Sequence, residues 1–219
     1  MINGYDNYPI NDLTSHMTTS LKKVISAIDN INQTDTNITL VDGIEYPKEL
    51  IYGQRMSNCL ATHWDDASEL LQIAVRAQHI KRWHLKRTEF EQGKAGYYQW
   101  RTALGKFHGE LAASIMLEHG YDAEQAEQTA AIISKDLVRK GKAEASDDSQ
   151  ALEDVACLVF LEHYFDEFAA KYIAADNEAK IIRIVKLTWN KMSERGHKIA
   201  LTLPLPEHLA ILVNKALAD

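Results

Sequence analysis

The sequence predicts an all-α protein, a single-domain bundle of about seven helices. Its 219 residues are 46% hydrophobic and 25% charged, with a mean hydropathy of -0.30, which is typical of globular proteins. There are only 10 glycines and 4 prolines, and no proline lies between Pro47 and Pro204. Because β-sandwiches need many turn residues, this scarcity favours helices.

Apolar residues recur at helical spacing along most of the chain. They predict helices over the segments 12–32, 47–62, 66–83, 100–119, 122–140, 149–174, 177–194 and 206–217. The polar or proline-containing segments between them are predicted to be connections, at 32–46, 84–99, 141–149 and 201–205. We expect the first helix and the helices of 177–217 to pack on a helical core formed by 47–174.

Residues that favour helix ends support these boundaries. The candidate N-caps are Asn11 or Asp12, Asp65 or Asp66, and Asp122. Pro47 suits the first position of a helix, where its missing N–H is not needed. Gly120 follows the helix 100–119 and is predicted to end it.

Charge and cysteine content exclude several classes of protein. The net charge is -7, whereas proteins that coat nucleic acid or anionic membranes usually carry positive charge. Cys59 and Cys157 stand apart in apolar segments, which predicts two buried thiols rather than a zinc site. The sequence shows neither a run of ~18 apolar residues nor a signal-peptide pattern. We therefore expect a cytoplasmic protein with no membrane partner and no strong signal for nucleic-acid binding, although a local basic site fits the charge. The sequence indicates no oligomeric state.

Three polar side chains interrupt apolar faces of the predicted helices. His79 continues an apolar row of 66–83, His108 lies on the inward face of its helix, and Asp154 begins an apolar row of 149–174. A buried carboxylate is costly unless a cation, a metal or several donors satisfy it. We expect Asp154 to be largely buried and to be matched by His79, His108, an arginine such as Arg82 or Arg101, or a metal.

Imidazole and carboxylate groups on rigid helices are the usual ligands of metal sites in helical proteins. The sequence therefore predicts that His79, His108 and Asp154 form a polar site, for which a divalent ion (Mn, Ni, Mg or Fe) is one candidate ligand. The alternative is that the histidines are hydrogen-bonded core residues and that Asp154 forms a buried ion pair with an arginine.

Basic and aromatic residues are concentrated around this predicted core. They are Lys81, Arg82, Trp83, Lys86, Arg87, Tyr97, Tyr98, Trp100 and Arg101. Guanidinium groups bind phosphate or carboxylate through two parallel hydrogen bonds, and aromatic faces can stack on a base or a sugar. In the alternative interpretation, the aromatic rings pack the loop and the cations are solvated.

Nearly the whole chain resembles an uncharacterised family of bacterial and fungal proteins, a domain of unknown function. The resemblance is carried by Pro47-Lys48-Glu49-Leu50, Arg55-Met56, Ala77-Gln78-His79-Ile80, Arg82-Trp83, Gly96-Tyr97, Trp100-Arg101, Phe107-His108, Leu152-Glu153-Asp154, Cys157 to Glu162, Thr188-Trp189, Lys191-Met192-Ser193 and Gly196-His197. The resemblance to this family indicates no biochemical activity.

The order of the helices is more distantly similar to the HD superfamily of metal-dependent phosphohydrolases. His79, His108 and Asp154 follow the order of that family's metal ligands. Ile80 stands where the aspartate of the His-Asp pair is expected. Lys135, a cation, stands where members that bind two metals have another histidine. For the first metal-binding histidine, the upstream helix offers Arg55 or Tyr52, and its only histidine, His63, lies near its end. The set of metal ligands is therefore incomplete.

The resemblance implies two functions. As a phosphohydrolase of a nucleotide or phosphorylated small molecule, the protein would use its metal to polarise a phosphoryl oxygen and Glu153 to orient water. As a non-catalytic HD-like module, it would bind an anionic small molecule, with Arg55 and Lys135 in place of metal ligands. The residues predicted to bind the substrate are Arg55, Arg82, Trp83, Arg87, Tyr97, Trp100, Arg101 and Lys135. An interaction scaffold is the remaining alternative.

Overall fold

The structure is a computed structural model, and it describes residues 17–135, 147–175 and 177–218. Within these ranges lie ten α-helices, which are α1 (Thr19–Asn32), α2 (Lys48–His63), α3 (Glu69–Ala77), α4 (Gly93–Glu118), α5 (Ala123–Ser134), α6 (Asp147–His163), α7 (Phe165–Ile173), α8 (Glu178–Trp189), α9 (Glu194–Ala200) and α10 (Glu207–Leu217). Two short 3-10 helices span Arg82–His84 and Arg87–Glu89. The predicted all-α class is confirmed.

One antiparallel hairpin, β1 (Ile38–Val41) and β2 (Ile44–Pro47), is the only sheet in the described ranges. It lies in the predicted connection 32–46 and extends to Pro47, which ends β2 and precedes α2 instead of being its first residue. Asp42 and Gly43 form its two-residue turn, and both have positive φ, 51° and 79°. Such a turn matches the twist of paired strands, and glycine adopts it without steric cost.

The helix predicted over 66–83 is too long at both ends. It begins at Glu69, because the Ser68 hydroxyl accepts a hydrogen bond from the Leu71 N–H (3.0 Å). It ends at Ala77, and a turn follows in which Lys81 adopts φ 51° and donates its N–H to Asn32 Oδ1 (2.9 Å). This tertiary bond to the end of α1 stabilises a conformation that helical spacing does not predict. His79 therefore lies in a turn and not on a helix.

Other predicted boundaries also differ from the structure. The segment 149–174 forms two helices that meet at Tyr164 (φ -126°, ψ -11°). The helix predicted from 100 begins seven residues earlier at Gly93. Helix α9 lies between the predicted helix 177–194 and the predicted connection 201–205, and α8 already ends at Trp189. Helix α1 begins at Thr19 with Thr18 as its N-cap, whereas Asn11 and Asp12 fall outside the described residues.

The capping of α5 is confirmed. The Asp122 carboxylate accepts the Gln125 N–H (2.8 Å), and the Gln125 side chain accepts the Asp122 N–H in return. Helix α5 stops at Ser134, earlier than predicted, because Lys135 adopts the left-handed conformation (φ 56°). The predicted continuation through 136–140 and the connection 141–146 lie outside the described residues.

Helices α3 and α6 form the centre of the core, as their wide apolar circumference predicts. Helix α3 contacts five other helices, α1, α2, α4, α5 and α6. The core side chains include fully buried Ile73 and Val75 of α3 and Leu152 and Leu158 of α6. The core continues from α1 to α10, because Val24 and Leu212 belong to the same cluster. Within the described residues, no helix is both long and apolar enough to cross a membrane.

Helices α4 and α5 lie unusually close together. A Cβ atom added at Gly109 would stand 2.9 Å from the Ala130 carbonyl oxygen, so a larger residue would push the two helices apart. This close approach at Gly109 holds the preceding residue, His108, against the end of α5. The packing of the two helices thus sets the position of one candidate site residue.

Candidate functional site

A small cavity opens where the turn after α3, the middle of α4 and the end of α5 meet. Its volume is about 20 Å³, enough for one group of the size of a water molecule. The lining residues are Gln78, His79, Arg82, Arg101, Leu104, Gly105, His108, Ile133 and Lys135. We call this the basic cavity, because three of these side chains are cations and none is an acid.

His79 is fixed on both sides by charged neighbours. Its Nδ1 lies 3.0 Å from Glu49 Oε2, and its Nε2 lies 2.8 Å from Arg82 Nη1. Because a guanidinium only donates, Nε2 accepts and the ring proton is on Nδ1, where it donates to Glu49. The ring also stacks on Tyr52, with centroids 3.9 Å apart. Burial, helped by the charge of Arg82, holds the pKa of His79 well below its usual range.

Glu49 accepts this hydrogen bond from a buried position at the start of α2. Burial raises its pKa to about 7, although the positive charge of Arg82 opposes the shift. A carboxyl with this pKa carries about half of its charge at neutral pH. The Arg82 Nε lies 3.9 Å from Glu49 Oε1, which is too far for a hydrogen bond. Glu49 therefore neutralises the positive charge of Arg82 only in part.

His108 has an unsatisfied nitrogen in the basic cavity. The residue is 2% exposed, and its Nε2 has no hydrogen-bond partner in the described part of the chain. Burial lowers the pKa of His108 to about 2, and the neighbouring His79 and Arg82 act in the same direction. The ring is therefore neutral at physiological pH. Buried polar atoms without any partner are rare in native proteins, so this nitrogen is available to a ligand or a water molecule.

The other two cations differ in their neighbours. Lys135 is buried and its Nζ lies 2.7 Å from Glu153 Oε2, while burial lowers its pKa. Glu153 is shared with Lys191, whose Nζ lies 3.6 Å from Oε1. Arg101 donates a long bond of 3.4 Å to the Tyr97 hydroxyl, and within the described ranges it has no carboxylate partner. Of the three cations that line the basic cavity, Arg101 thus has the least neutralised charge.

Asp154 lies elsewhere, at the junction of α6 and α9. It is 2% exposed, which confirms the expected burial. Its Oδ1 accepts from Gln150 Nε2 (3.0 Å) and from the Ser193 N–H (2.8 Å), and its Oδ2 accepts from the Ser193 hydroxyl. The expected protein partners, His79, His108, Arg82 and Arg101, are therefore wrong, because Gln150 and Ser193 bond the carboxylate instead. Asp154 supports the N-terminus of α9, where Ser193 is the N-cap.

A larger cleft of about 330 Å³ lies beside this junction. Its lining residues are Trp64, Asp66, Ala67, Leu71, Asp147, Asp148, Gln150, Ala151, Asp154, Ser193 and Arg195. Asp154 therefore borders a different cavity from that of His79 and His108. Among residues 17–135, 147–175 and 177–218, no group of three His, Cys, Asp or Glu side chains is placed to hold a metal ion.

The sequence profile of the family described as Domain of unknown function (DUF4202) matches residues 22–213. The chain belongs to this family. The matched residues run from α1 into α10 and include every residue of the basic cavity of this DUF4202 protein. Neither a curated protein nor a solved structure matches the chain.

Some of the residues predicted to bind the substrate lie together at the basic cavity of this DUF4202 chain. Arg82, Arg101 and Lys135 line it directly. Trp100 lies next to it, under the Arg82 guanidinium (5.2 Å from its carbon to the ring centroid), and Tyr97 accepts from Arg101. Trp83 is half-buried and is not among the lining residues.

Arg55 and Arg87 lie away from the basic cavity. The Arg55 guanidinium stands 5.3 Å from the centre of the Tyr164 ring. Arg87 donates to the carbonyl oxygens of Phe90 (3.0 Å) and Gly93 (3.3 Å), and so supports the loop before α4. Both side chains have structural contacts in these positions.

Sequence reasoning did not identify the residues that orient His79. Glu49 and Gln78 are the main examples, since Gln78 Oε1 accepts from the Tyr52 hydroxyl (2.9 Å) beside the stacked rings. Glu49 and Gln78 both belong to motifs that carry the family resemblance. The position of Glu49 in the first turn of a helix with an apolar face could have marked it as a candidate site residue. The sequence did not show, however, that its side chain faces inward.

Proposed function

We propose that the protein binds a small oxyanion, such as phosphate or the charged group of a phosphorylated small molecule, at the basic cavity. The observation that carries this proposal is the convergence of Arg82, Arg101 and Lys135 on one cavity whose lining contains no acid. Guanidinium and ammonium groups are the side chains that bind phosphate oxygens in proteins.

The charge of the surrounding groups supports an anion. His79 and His108 are neutral because burial lowers the pKa of both rings. Glu49 carries about half of its charge at pH 7, and Glu153 is divided between two lysines. The cavity therefore keeps a net positive charge that attracts an anion. The same charge would repel a divalent cation.

Metal-dependent hydrolysis of a phosphoester stays a prediction. The groups expected to hold the ion are engaged in other ways, because both nitrogens of His79 and both carboxylate oxygens of Asp154 already have hydrogen-bond partners. Of the two histidines only His108 offers a free lone pair, and Asp154 lines a different cavity from theirs. This donor set does not fit a shared ion, so we derive no reaction step from a metal.

Titration calorimetry with inorganic phosphate, in a buffer without other oxyanions, tests the proposal. We expect binding to the wild-type protein, weakened about tenfold or more in Arg101→Gln, since bonds to charged groups contribute about 1.5–3 kcal/mol. Lys106→Gln is the matched control. It removes one positive charge from the same helix at an exposed position paired with Glu110, and it should change the affinity less than twofold. Equal weakening in both variants would show only a general charge effect.

A chelator separates this proposal from metal-dependent hydrolysis. The wild-type protein should melt at the same temperature with and without EDTA, and phosphate should raise that temperature in both samples. A melting temperature that falls with EDTA and recovers with Mn²⁺ or Ni²⁺, together with hydrolysis of a phosphoester panel, would support the enzyme instead.

A further inference from the structure

The tautomer of His108 is assigned from its neighbours. The backbone of Gln78 favours the protonated ring, as an acceptor does, so we assign a ring N–H to the side that faces Gln78. Because Nε2 has no partner in the described ranges, the donor is Nδ1. A neutral imidazole carries one proton, so the lone pair of Nε2 is free. The basic cavity thus contains one buried acceptor among its cationic donors.

The other acceptors of the basic cavity already have hydrogen-bond partners. The Nε2 of His79 already accepts from Arg82, and Gln78 Oε1 accepts from Tyr52. Arg82, Arg101 and Lys135 are donors only. A bound anion therefore meets donors for its charged oxygens and one acceptor without a partner, His108 Nε2, which requires a donor from the ligand.

We propose that the basic cavity selects an oxyanion that carries a hydroxyl group, of which hydrogen phosphate is the simplest, over one that has only charged oxygens, such as sulfate. The P–OH group would donate to His108 Nε2 while the ionised oxygens accept from Arg82, Arg101 and Lys135. This inference rests on the proposed function and narrows its ligand class, because a phosphate monoester carries a P–OH group only as the monoanion and is expected to bind tightly only in that form.

The geometry of the cavity agrees with this arrangement. Its volume of about 20 Å³ admits one oxygen-sized group, and His108 and Lys135 are buried while Arg82 and Arg101 are half-buried. A single hydroxyl would enter toward His108, and the remaining oxygens would stay near the two arginines. With sulfate, a charged oxygen would face the His108 lone pair, which costs binding energy because neither group donates.

Sulfate and hydrogen phosphate allow a direct test, because at pH 8 both are tetrahedral ions with two negative charges and similar size. We would titrate the full chain with sodium phosphate, arsenate and sulfate at constant ionic strength and pH 8. Phosphate and arsenate should both bind at least tenfold more tightly than sulfate. Methyl phosphate at this pH is mainly a dianion without a hydroxyl, and we expect it to bind as weakly as sulfate.

The variant His108→Gln shows whether this nitrogen causes the preference. A glutamine amide can turn to accept from phosphate or donate to sulfate, so the ratio of the two affinities should fall below about threefold. Sulfate should then bind at least as tightly as it binds to the wild-type protein. Lys106→Gln should keep the wild-type ratio.

The outcomes distinguish the two proposals. Equal wild-type affinities for phosphate and sulfate would overturn the selectivity, as would a preference that His108→Gln retains, and both leave anion binding intact. If the wild-type protein and Arg101→Gln fail alike to bind any of the oxyanions, the proposed function itself is wrong. The comparison of ions on the wild-type protein needs no variant to fold.

Discussion

Two of the polar clusters in the described part of the core contain residues that the sequence singles out, one around His108 in the basic cavity and one around Asp154. Each contains a side chain that is 2% exposed. The Asp154 carboxylate accepts three hydrogen bonds, from Gln150 and from two groups of Ser193. In contrast, His108 Nε2 has no partner among the described residues, and the cations near it are incompletely neutralised.

The difference indicates different roles. A satisfied buried carboxylate needs nothing from outside the chain, and its bonds to Ser193 hold α9 against α6. The close fit supports this role, since a Cβ atom added at Gly196 would lie 2.9 Å from the Asp154 Cγ. An unsatisfied acceptor among donors is costly unless something binds there. We therefore assign stability to the Asp154 cluster and ligand binding to the basic cavity.

The largest expected effect comes from removing the Asp154 carboxylate. Asp154→Ala leaves the Ser193 N–H and hydroxyl and the Gln150 amide without their buried acceptor, so we expect a loss of about 3 kcal/mol in the free energy of unfolding. Phosphate affinity should stay within twofold of the wild-type value. Urea unfolding and calorimetry measure the two quantities.

Asp66→Ala is the control for this variant, because Asp66 lines the same cleft but is exposed. Its unfolding free energy should change by no more than about 0.5 kcal/mol. Should Asp154→Ala instead keep its stability and lose phosphate binding, the division of roles between the two clusters would be wrong.

The next effect is a pH dependence that belongs to the basic cavity. The folded pKa of His108 is about 2, below its ordinary value of 6.5, so below pH 6.5 the unfolded chain takes up a proton that the folded protein does not. This contribution to stability falls by about 1.4 kcal/mol per pH unit as the pH decreases. His79, whose pKa is also lowered, acts in the same direction. Glu49 acts in the opposite direction, because its pKa is raised.

Comparison with His108→Gln isolates the His108 part. Between pH 6.5 and pH 5, the wild-type protein should lose about 2 kcal/mol more stability than the variant, as measured by urea unfolding in a buffer without oxyanions. Leu111→Ala changes the packing of α4 without removing a titratable group. The difference in unfolding free energy between this variant and the wild-type protein should therefore not vary with pH. A parallel pH course for wild type and His108→Gln would mean that the ring protonates in the folded state.

The smallest effect concerns Lys191, which connects the two clusters. Its backbone oxygen accepts from Gln150, next to Asp154, and its side chain reaches Glu153, the partner of Lys135. The Lys191 side chain is 57% exposed, so Lys191→Met should change the unfolding free energy by about 0.5 kcal/mol or less.

Lys135→Met provides the contrast, because it removes the buried partner of Glu153 and should cost far more stability than Lys191→Met. Phosphate affinity should fall in Lys135→Met and stay unchanged in Lys191→Met. A change of phosphate affinity in Lys191→Met would show that the two clusters are energetically coupled.

Local sequence patterns were sufficient for the helical class and for several boundaries. The apolar spacing and the scarcity of proline predicted helices, and Asp122 marked the start of α5. These features depend on neighbours within three or four residues, which the sequence lists directly. The burial of His108 and Asp154 followed from the same spacing.

Only the tertiary structure decided which polar groups meet. Helical spacing placed His79 on a helix, but the bond from Lys81 to Asn32 stabilises a turn there. Spacing also gave no sign that Asp154 meets Ser193, which lies 39 residues away. A periodic pattern states that a side chain faces inward, but its partner depends on how distant helices pack. The sequence by itself therefore determined an α-helical protein with buried polar residues, and packing separated those residues into a structural cluster and a basic cavity.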